Sequence, residues 1–170
     1  LLYLNDGAGG FSLTANFGTD VSGGTEVVLG DLDGDSNLDI AAGISGRQNV
    51  VYFNSDAGNF GVGRDFGANT SSIYSVSVGD MDGDRDLDIV AGDDRQNAVY
   101  LNDGFGNFNT NHTYGTRSDY TSAVPVGDMD GDGDLWLEHF HSLARLLRVH
   151  GEHPADGHDG HIKRVQTPEE

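Results

Sequence analysis

Aspartates recur at every second position in three short stretches of the chain. In the middle stretch, VGDMDGDRDLDIVAG, the acids are Asp80, Asp82, Asp84, Asp86 and Asp88. Such alternation is typical of a β-strand with one face in water. On a straight strand, carboxylates about 5 Å apart would repel each other by roughly 3 kcal/mol at an effective dielectric constant near 20. The pattern therefore indicates a curled loop whose carboxylates converge on a cation.

The same loop occurs three times, as GDLDGDSNLD from Gly30, GDMDGDRDLD from Gly79 and GDMDGDGDLW from Gly127. Counted from the first Asp of each copy, positions 1, 3, 5 and 9 offer carboxylates and position 7 offers its backbone carbonyl. Calcium takes about six to eight oxygen ligands, which suits this set. The predicted ligands are Asp31, Asp33, Asp35, Asn37 and Asp39 in the first copy, Asp80, Asp82, Asp84, Asp86 and Asp88 in the second, and Asp128, Asp130, Asp132 and Asp134 in the third.

The loop differs from an EF-hand, which requires Gly at position 6 and Glu at position 12. Position 6 is Ser36, Arg85 or Gly133, and position 12 is an Ala or a His. A glycine at position 4 of every copy permits the positive φ of a tight bend. Magnesium is disfavoured because it prefers few protein ligands and retained waters. An acidic turn without any metal is the alternative interpretation.

The third copy lacks its closing carboxylate, since Trp136 stands where the other copies have Asp39 and Asp88. Glu138 lies two residues further on and would substitute only if the strand were remodelled. We therefore expect two good calcium sites and a third that is weak or empty.

The loops belong to a longer repeat. LNDGAGGF, FNSDAGNF and LNDGFGNF, from residues 4, 53 and 101, have the same spacings of 49 and 48 residues as the loops. Each unit has four short runs rich in Val, Ile, Tyr and Phe, separated by Gly, Asn and Asp. Four strands in about 48 residues is the size of one β-propeller blade. The sequence predicts an all-β fold of four-stranded blades, with a β-sandwich as the alternative.

The repeat boundaries follow from this alignment. Residues 1–135 form the repeat region, with complete blades at about 22–66 and 72–115 and partial blades at 1–14 and 122–135. The chain opens inside a strand-like run, which predicts a piece of a longer protein with further blades. Residues 136–170 are predicted to be an unrelated tail from a shifted reading frame or a junction, either disordered or helical. Its candidate helix face consists of Leu137, Phe140, Leu143, Ala144 and Leu147.

The composition narrows the possible partners. The chain has 170 residues, 28 Asp plus Glu against 9 Lys plus Arg, and a formal net charge of −19. This charge argues against nucleic acid and anionic membranes, and for bound cations. The sequence has no Cys and no apolar run long enough to span a membrane. It has no Ser–His–Asp or Cys–His arrangement either, so we expect no enzyme activity.

The motifs VLGDLDGDSNLDIAAG, SVGDMDGDRDLDIVAG and YLNDGFGNF resemble the FG-GAP and VCBS repeats of integrin-α-like β-propellers. The resemblance covers about residues 1–135. It implies calcium in the hairpin between the first and second strands of each blade, in a structural role. It also implies a secreted or cell-surface protein that binds an unknown protein or carbohydrate ligand or serves adhesion. The alternatives are the propeller portion of a polysaccharide lyase or hydrolase, its non-catalytic accessory module, and a structural spacer.

Overall fold

The computed structural model describes residues 2–15, 24–56, 58–61, 63–67, 72–115, 121–137, 140–141 and 162–163. All regular elements in these ranges are β-strands, which confirms the predicted all-β class. The strands are β1 Leu2–Asn5, β2 Phe11–Ala15, β3 Gly24–Gly30, β4 Asp39–Ile44, β5 Asn49–Tyr52, β6 Arg64–Phe66, β7 Ile73–Gly79, β8 Asp88–Asp93, β9 Asn97–Leu101, β10 Thr110–Tyr114, β11 Thr121–Ala123, β12 Val126–Gly127, β13 Trp136–Leu137, β14 Phe140–His141 and β15 Ile162–Lys163. Within the described ranges, no helix has the length and hydropathy needed to cross a bilayer.

Two antiparallel four-stranded meanders form the centre of the molecule. One has the strand order β3-β4-β5-β6 and the other β7-β8-β9-β10, so every strand pairs with its neighbour in sequence. Their registers are equivalent, because Gly30 pairs with Asp39 as Gly79 pairs with Asp88. The acidic loop thus joins the first and second strands of each sheet, as predicted. A separate hairpin, β1–β2, precedes the first sheet.

The third unit consists of strands β11 to β14. Its strands pair in the same register as those of the second sheet, even beyond the point where its sequence departs from the repeat. Gly127 pairs with Trp136, Val126 with Leu137 and Ala123 with Phe140. In the second sheet, Gly79 pairs with Asp88, Val78 with Ile89 and Ser75 with Gly92. The repeat pairing therefore continues in the described strands Trp136–Leu137 and Phe140–His141.

The predicted tail helix is wrong where the structure describes it. Leu137 and Phe140 lie in the short strands β13 and β14. Leu137 takes the place of Ile89 in the repeat and is only 1% exposed within an apolar cluster, because pairing with β12 holds it against the second sheet. Strand burial therefore outweighs any local helical periodicity at this position. The other members of the proposed helix face, Leu143, Ala144 and Leu147, lie outside the described residues.

The core lies between successive sheets. Phe66 of the first sheet places its ring 5.4 Å from that of Tyr100 in the second, edge to face, a favourable geometry for aromatic pairs. Apolar residues from both sheets complete this cluster, among them Leu32, Val51, Ile73, Val76, Ile89 and Phe108. A second cluster joins the second sheet to the third unit through Met81, Val90, Val124 and Leu137.

A glycine permits the close approach of the first two sheets. A Cβ on Gly43 would lie 2.7 Å from Cγ2 of Ile73 and 3.0 Å from Cγ1 of Val76, and both neighbours are buried. We expect Gly43→Ala to lower the free energy of unfolding by about 1–3 kcal/mol through overpacking. Denaturant unfolding measures the change. Gly61→Ala is the matched control, since a Cβ there meets nothing within 4 Å; an equal loss in both variants would contradict the packing account.

Candidate metal site

The first aspartate of each loop shapes the backbone around it. Asp80 accepts the Gly83 N–H at Oδ1 (2.7 Å) and the Arg85 N–H at Oδ2 (3.0 Å). Asp31 and Asp128 accept the equivalent pairs of amides in their own loops. A single carboxylate therefore draws positions 4 and 6 back towards position 1, so the chain curls instead of extending.

Two left-handed residues make this curl possible. At position 4, Gly83 has φ of 88°, as the sequence predicted for a glycine there. At position 6, Arg85 has φ of 82° and Ser36 has φ of 70°, an unusual conformation for residues with a Cβ. Sequence reasoning missed this second bend because neither residue type favours it. The sequence did contain one signal for this bend: position 6 of the third loop is a glycine, Gly133, which has φ of 93°.

The closing aspartate at position 9 is held from two sides. Asp88 is fully buried, and its Oδ2 accepts the Met81 N–H at 2.7 Å while its Oδ1 accepts the Asn102 N–H at 2.8 Å. Asp39 is equally buried and makes the same two bonds, to Leu32 and Asn54. These carboxylates are fixed in place by the backbone before any ion binds.

The loops bring three carboxylates together in each copy. One oxygen from each member lies within 4.8 Å of the others, and the groups are Asp31, Asp33 and Asp39; Asp80, Asp82 and Asp88; and Asp128, Asp130 and Asp132. Two ligands on opposite sides of a calcium ion would be about 5 Å apart, given Ca–O distances of about 2.4 Å. The spacing of each group therefore suits a cation of this size.

The remaining predicted ligands lie outside those groups. Asp35 and Asp84, at position 5, each accept the N–H of position 7, at 2.8 Å from Asn37 and 2.9 Å from Asp86. The side chain of Asn37 also donates to Asp35, at 2.9 Å. In the third loop Asp134 likewise donates its N–H to Asp132, which does belong to the third group.

Burial makes the ionised form unfavourable for four loop carboxylates, those of Asp33, Asp39, Asp82 and Asp88. Desolvation raises the pKa of Asp88 to about 7, against the lowering effect of its bonds from Asn102 and Met81, and the charges on Asp82 and Asp84 add to the rise. Desolvation likewise raises the pKa of Asp39, Asp33 and Asp82. A divalent cation would reverse this balance, because it favours the charged form of every carboxylate it touches.

Asn102 connects the first two loops, a role that the sequence analysis did not predict. Its Oδ1 accepts the Gly104 and Gly106 amides within its own turn. Its Nδ2 also donates to the carbonyls of Leu32 and Leu87, both at 3.0 Å. Leu32 lies between two predicted ligands of the first loop and Leu87 precedes Asp88 in the second. The two loops are therefore joined by one buried amide.

The third loop differs from the other two at its closing position. Trp136 occupies the register of Asp39 and Asp88, opposite Gly127. Its indole Nε1 donates to Oδ1 of Asp130 at 3.3 Å, and the three grouped aspartates of this loop are exposed. No buried carboxylate closes this loop among the residues that the structure describes.

Repeated four-stranded antiparallel sheets, each with an acidic loop between its first and second strands, define a class of β-repeat proteins with candidate cation sites. The family model of the FG-GAP-like repeat matches residues 31–91 and 80–135, which together make up more than half of the chain. The chain therefore belongs to the FG-GAP-like repeat family. No curated protein and no solved structure matches it significantly.

Proposed function

We propose that this chain is a calcium-binding β-propeller module in which calcium has a structural role. The observation that carries the proposal is the convergence of three aspartates in each loop, including a fully buried one in the first two loops. Asp31, Asp33 and Asp39 would hold one ion, and Asp80, Asp82 and Asp88 a second. Calcium would neutralise carboxylates whose mutual repulsion and desolvation otherwise oppose folding.

The structure of the loops supports this role over catalysis. Asp39 and Asp88 each accept two backbone amides and are fully buried, which suits holding an ion more than proton transfer to a substrate. The calcium-bound loops would fix the hairpins at one rim of each sheet. A ligand that binds next to these loops would then meet a rigid surface, so less conformational entropy of the loops would be lost on binding.

We further propose that the module acts in adhesion or ligand binding within a secreted or cell-surface protein. Membership of the FG-GAP-like repeat family and the strongly acidic composition of the chain support this role. The alternative is a non-catalytic module, or the propeller portion, of a polysaccharide-active enzyme.

Arrays of matrix proteins and of glycans, probed in calcium and after chelation, distinguish the two roles. Calcium-dependent binding to matrix proteins favours adhesion, and binding to polysaccharide alone favours the enzyme-linked module.

A thermal melt with calcium titration tests the metal proposal. A ligand that binds only the folded state stabilises it by about 2.7 kcal/mol per site when present at a hundredfold excess over its Kd. We therefore expect the melting temperature to rise with calcium and to fall on chelation. Magnesium at equal concentration should have a much smaller effect, because it demands a more regular set of ligands. A melt that calcium does not change would refute the structural role.

Trp136→Asp should create a third strong site. The substitution places a carboxylate in the register of Asp39 and Asp88, across from Gly127. We expect the number of tightly bound calcium ions, measured by isothermal titration calorimetry, to rise from two to three. Trp136→Asn is the control, since it offers one neutral oxygen in place of the charge. If both variants bind two ions, the closing carboxylate does not determine occupancy.

A further inference from the structure

The turn that follows β9, residues 102–107, lies between the first two acidic loops, and we call it the bridging turn. On one side, a Cβ on Gly34 of the first loop would lie 3.4 Å from the carbonyl oxygen of Gly104. On the other side, a Cβ on Gly104 would lie 2.6 Å from Oδ2 of Asp86 in the second loop. A large movement of either loop therefore requires the turn to move as well.

A path of hydrogen bonds runs through this turn from one buried carboxylate to the other. Asp39 accepts the N–H of Leu32 at 2.8 Å, and the Leu32 carbonyl accepts a bond from Nδ2 of Asn102 at 3.0 Å. The N–H of Asn102 then donates to Oδ1 of Asp88 at 2.8 Å. All four residues are buried, so a bond of this path that breaks leaves an unpaired polar group away from water.

Arg64 of β6 holds the bridging turn from the first sheet. Its Nη1 donates to the carbonyls of Phe105 and Gly106, both at 2.8 Å. Its guanidinium lies 4.8 Å from the centre of the Phe53 ring, a distance at which a cation is attracted to an aromatic face. The turn thus belongs to the second sheet in sequence but is also bonded to the first, so its position depends on both.

The first sheet contains the equivalent asparagine without the bond between loops. The N–H of Asn54 donates to Oδ1 of Asp39 at 2.8 Å, and its Oδ1 accepts the Gly58 N–H at 3.0 Å. Its Nδ2 donates to the carbonyl of Leu38, in its own loop, at 3.3 Å. Asn54 therefore matches Asn102 in its local bonds, while Asn102 alone of the two reaches a neighbouring loop.

We propose that Asn102 couples the two proposed calcium sites, so that the second loop binds its ion more tightly when the first loop is filled, and the reverse. This inference rests on the calcium-binding function proposed above. In an empty loop the carboxylates repel one another and oppose the curled backbone. In a filled first loop Leu32 is fixed, Asn102 keeps its acceptor, and Asp88 keeps the amide that positions it. The second loop then loses less conformational entropy on binding, which gives positive cooperativity.

Long-range electrostatics acts against this coupling, and salt separates the two effects. A filled first loop is less negative, so it attracts a second cation less strongly. Interactions between exposed charges fade beyond about 8 Å at physiological ionic strength, whereas buried contacts are screened much less. We therefore expect the cooperativity to persist and to increase when potassium chloride is added. Positive cooperativity that vanished in salt would contradict the buried path.

Isothermal titration calorimetry with calcium tests the proposal. Asp33→Asn removes one carboxylate of the first group and leaves the second group intact. We expect the second loop of this variant to bind calcium about 5- to 150-fold more weakly than in the wild type, the usual range for coupled sites. In an Asn102→Ala background the same change should leave the affinity of the second loop unaltered, since the path is already broken. In an Asn54→Ala background, the matched control, the full ratio of affinities should remain.

Amide hydrogen exchange gives a second measurement that needs no change at Asn102. Asp82→Asn weakens the second site, so calcium can be set to fill the first loop alone. Exchange should then slow at the N–H groups of Met81 and Asn102, the two donors to Asp88, because local opening of the second loop becomes rarer. The Gly131 N–H, which donates to Asp128 in the third loop, is the control and should exchange at an unchanged rate.

The outcomes separate this inference from the proposed function. Two ions bound with the same second-loop affinity in wild type and Asp33→Asn would overturn the coupling and leave the calcium function standing. Absence of calcium binding at both loops would refute both. An effect of Asp33→Asn that persists in Asn102→Ala would assign the coupling to Arg64 or to charge instead of Asn102. If Asn102→Ala does not fold, the exchange measurement decides, and unchanged exchange at Met81 and Asn102 overturns the proposal.

Discussion

Asp88→Ala is expected to lower the free energy of unfolding by about 2–6 kcal/mol without calcium and to remove the stabilisation that calcium gives through the second loop. The side chain is fully buried and accepts the Met81 and Asn102 amides. Leaving both donors unpaired costs about 1–3 kcal/mol each. With calcium at a hundredfold excess over its Kd, loss of one site adds about 2.7 kcal/mol.

Denaturant unfolding in calcium and in chelator separates the two contributions. The loss in chelator reports the unpaired amides, and the further loss in calcium reports the ion. Asp65→Ala is the matched control, because this exposed aspartate of β6 lies outside the loops and its removal changes the net charge equally. If Asp88→Ala and Asp65→Ala respond equally to calcium, Asp88 is not a ligand.

The calcium-free protein is expected to lose stability as the pH rises from about 4 to about 8. Burial raises the pKa of Asp88 to about 7 in the folded state, above the ordinary value of 3.8 expected in the unfolded chain. Between these values the folded state binds more protons than the unfolded state, so the free energy of unfolding falls with increasing pH. A difference of about three pKa units corresponds to about 4 kcal/mol. The contribution is complete below pH 4 and is lost as the pH passes 7.

Urea unfolding of the metal-free protein at several pH values measures this slope. The exposed Asp35, Asp6 and Asp103 have pKa values lowered by hydrogen bonds, so their titration lies below the chosen window. Asp88→Asn should flatten the slope, since the amide does not ionise, and saturating calcium should flatten it in the wild type by favouring the charged carboxylate. An unchanged slope in Asp88→Asn would assign the pH dependence to other groups.

The sequence predicted the sheets well because their signals are local and repeated. Val, Ile and Tyr runs separated by Gly–Asn–Asp turns recur at spacings of 49 and 48 residues, and each run became a strand. The glycine at position 4 predicted the bend in each loop, since few other residues tolerate its positive φ. The candidate helix face was wrong at Leu137 and Phe140, which lie in strands, because pairing with β11 and β12 is not visible in a short stretch of sequence.

For the candidate metal site too, the sequence predicted some features and only the folded structure revealed others. The spacing of the aspartates alone identified all three loops and the missing carboxylate at Trp136, and it is the basis for predicting calcium rather than magnesium. Tertiary structure was needed to separate buried Asp39 and Asp88 from exposed Asp35, to reveal the left-handed Arg85, and to show Asn102 joining two loops. The repeat is encoded in residue order because strands and turns depend on neighbours along the chain. Burial, desolvation and contacts between loops depend on which sheets pack together, and that packing exists only in the folded molecule.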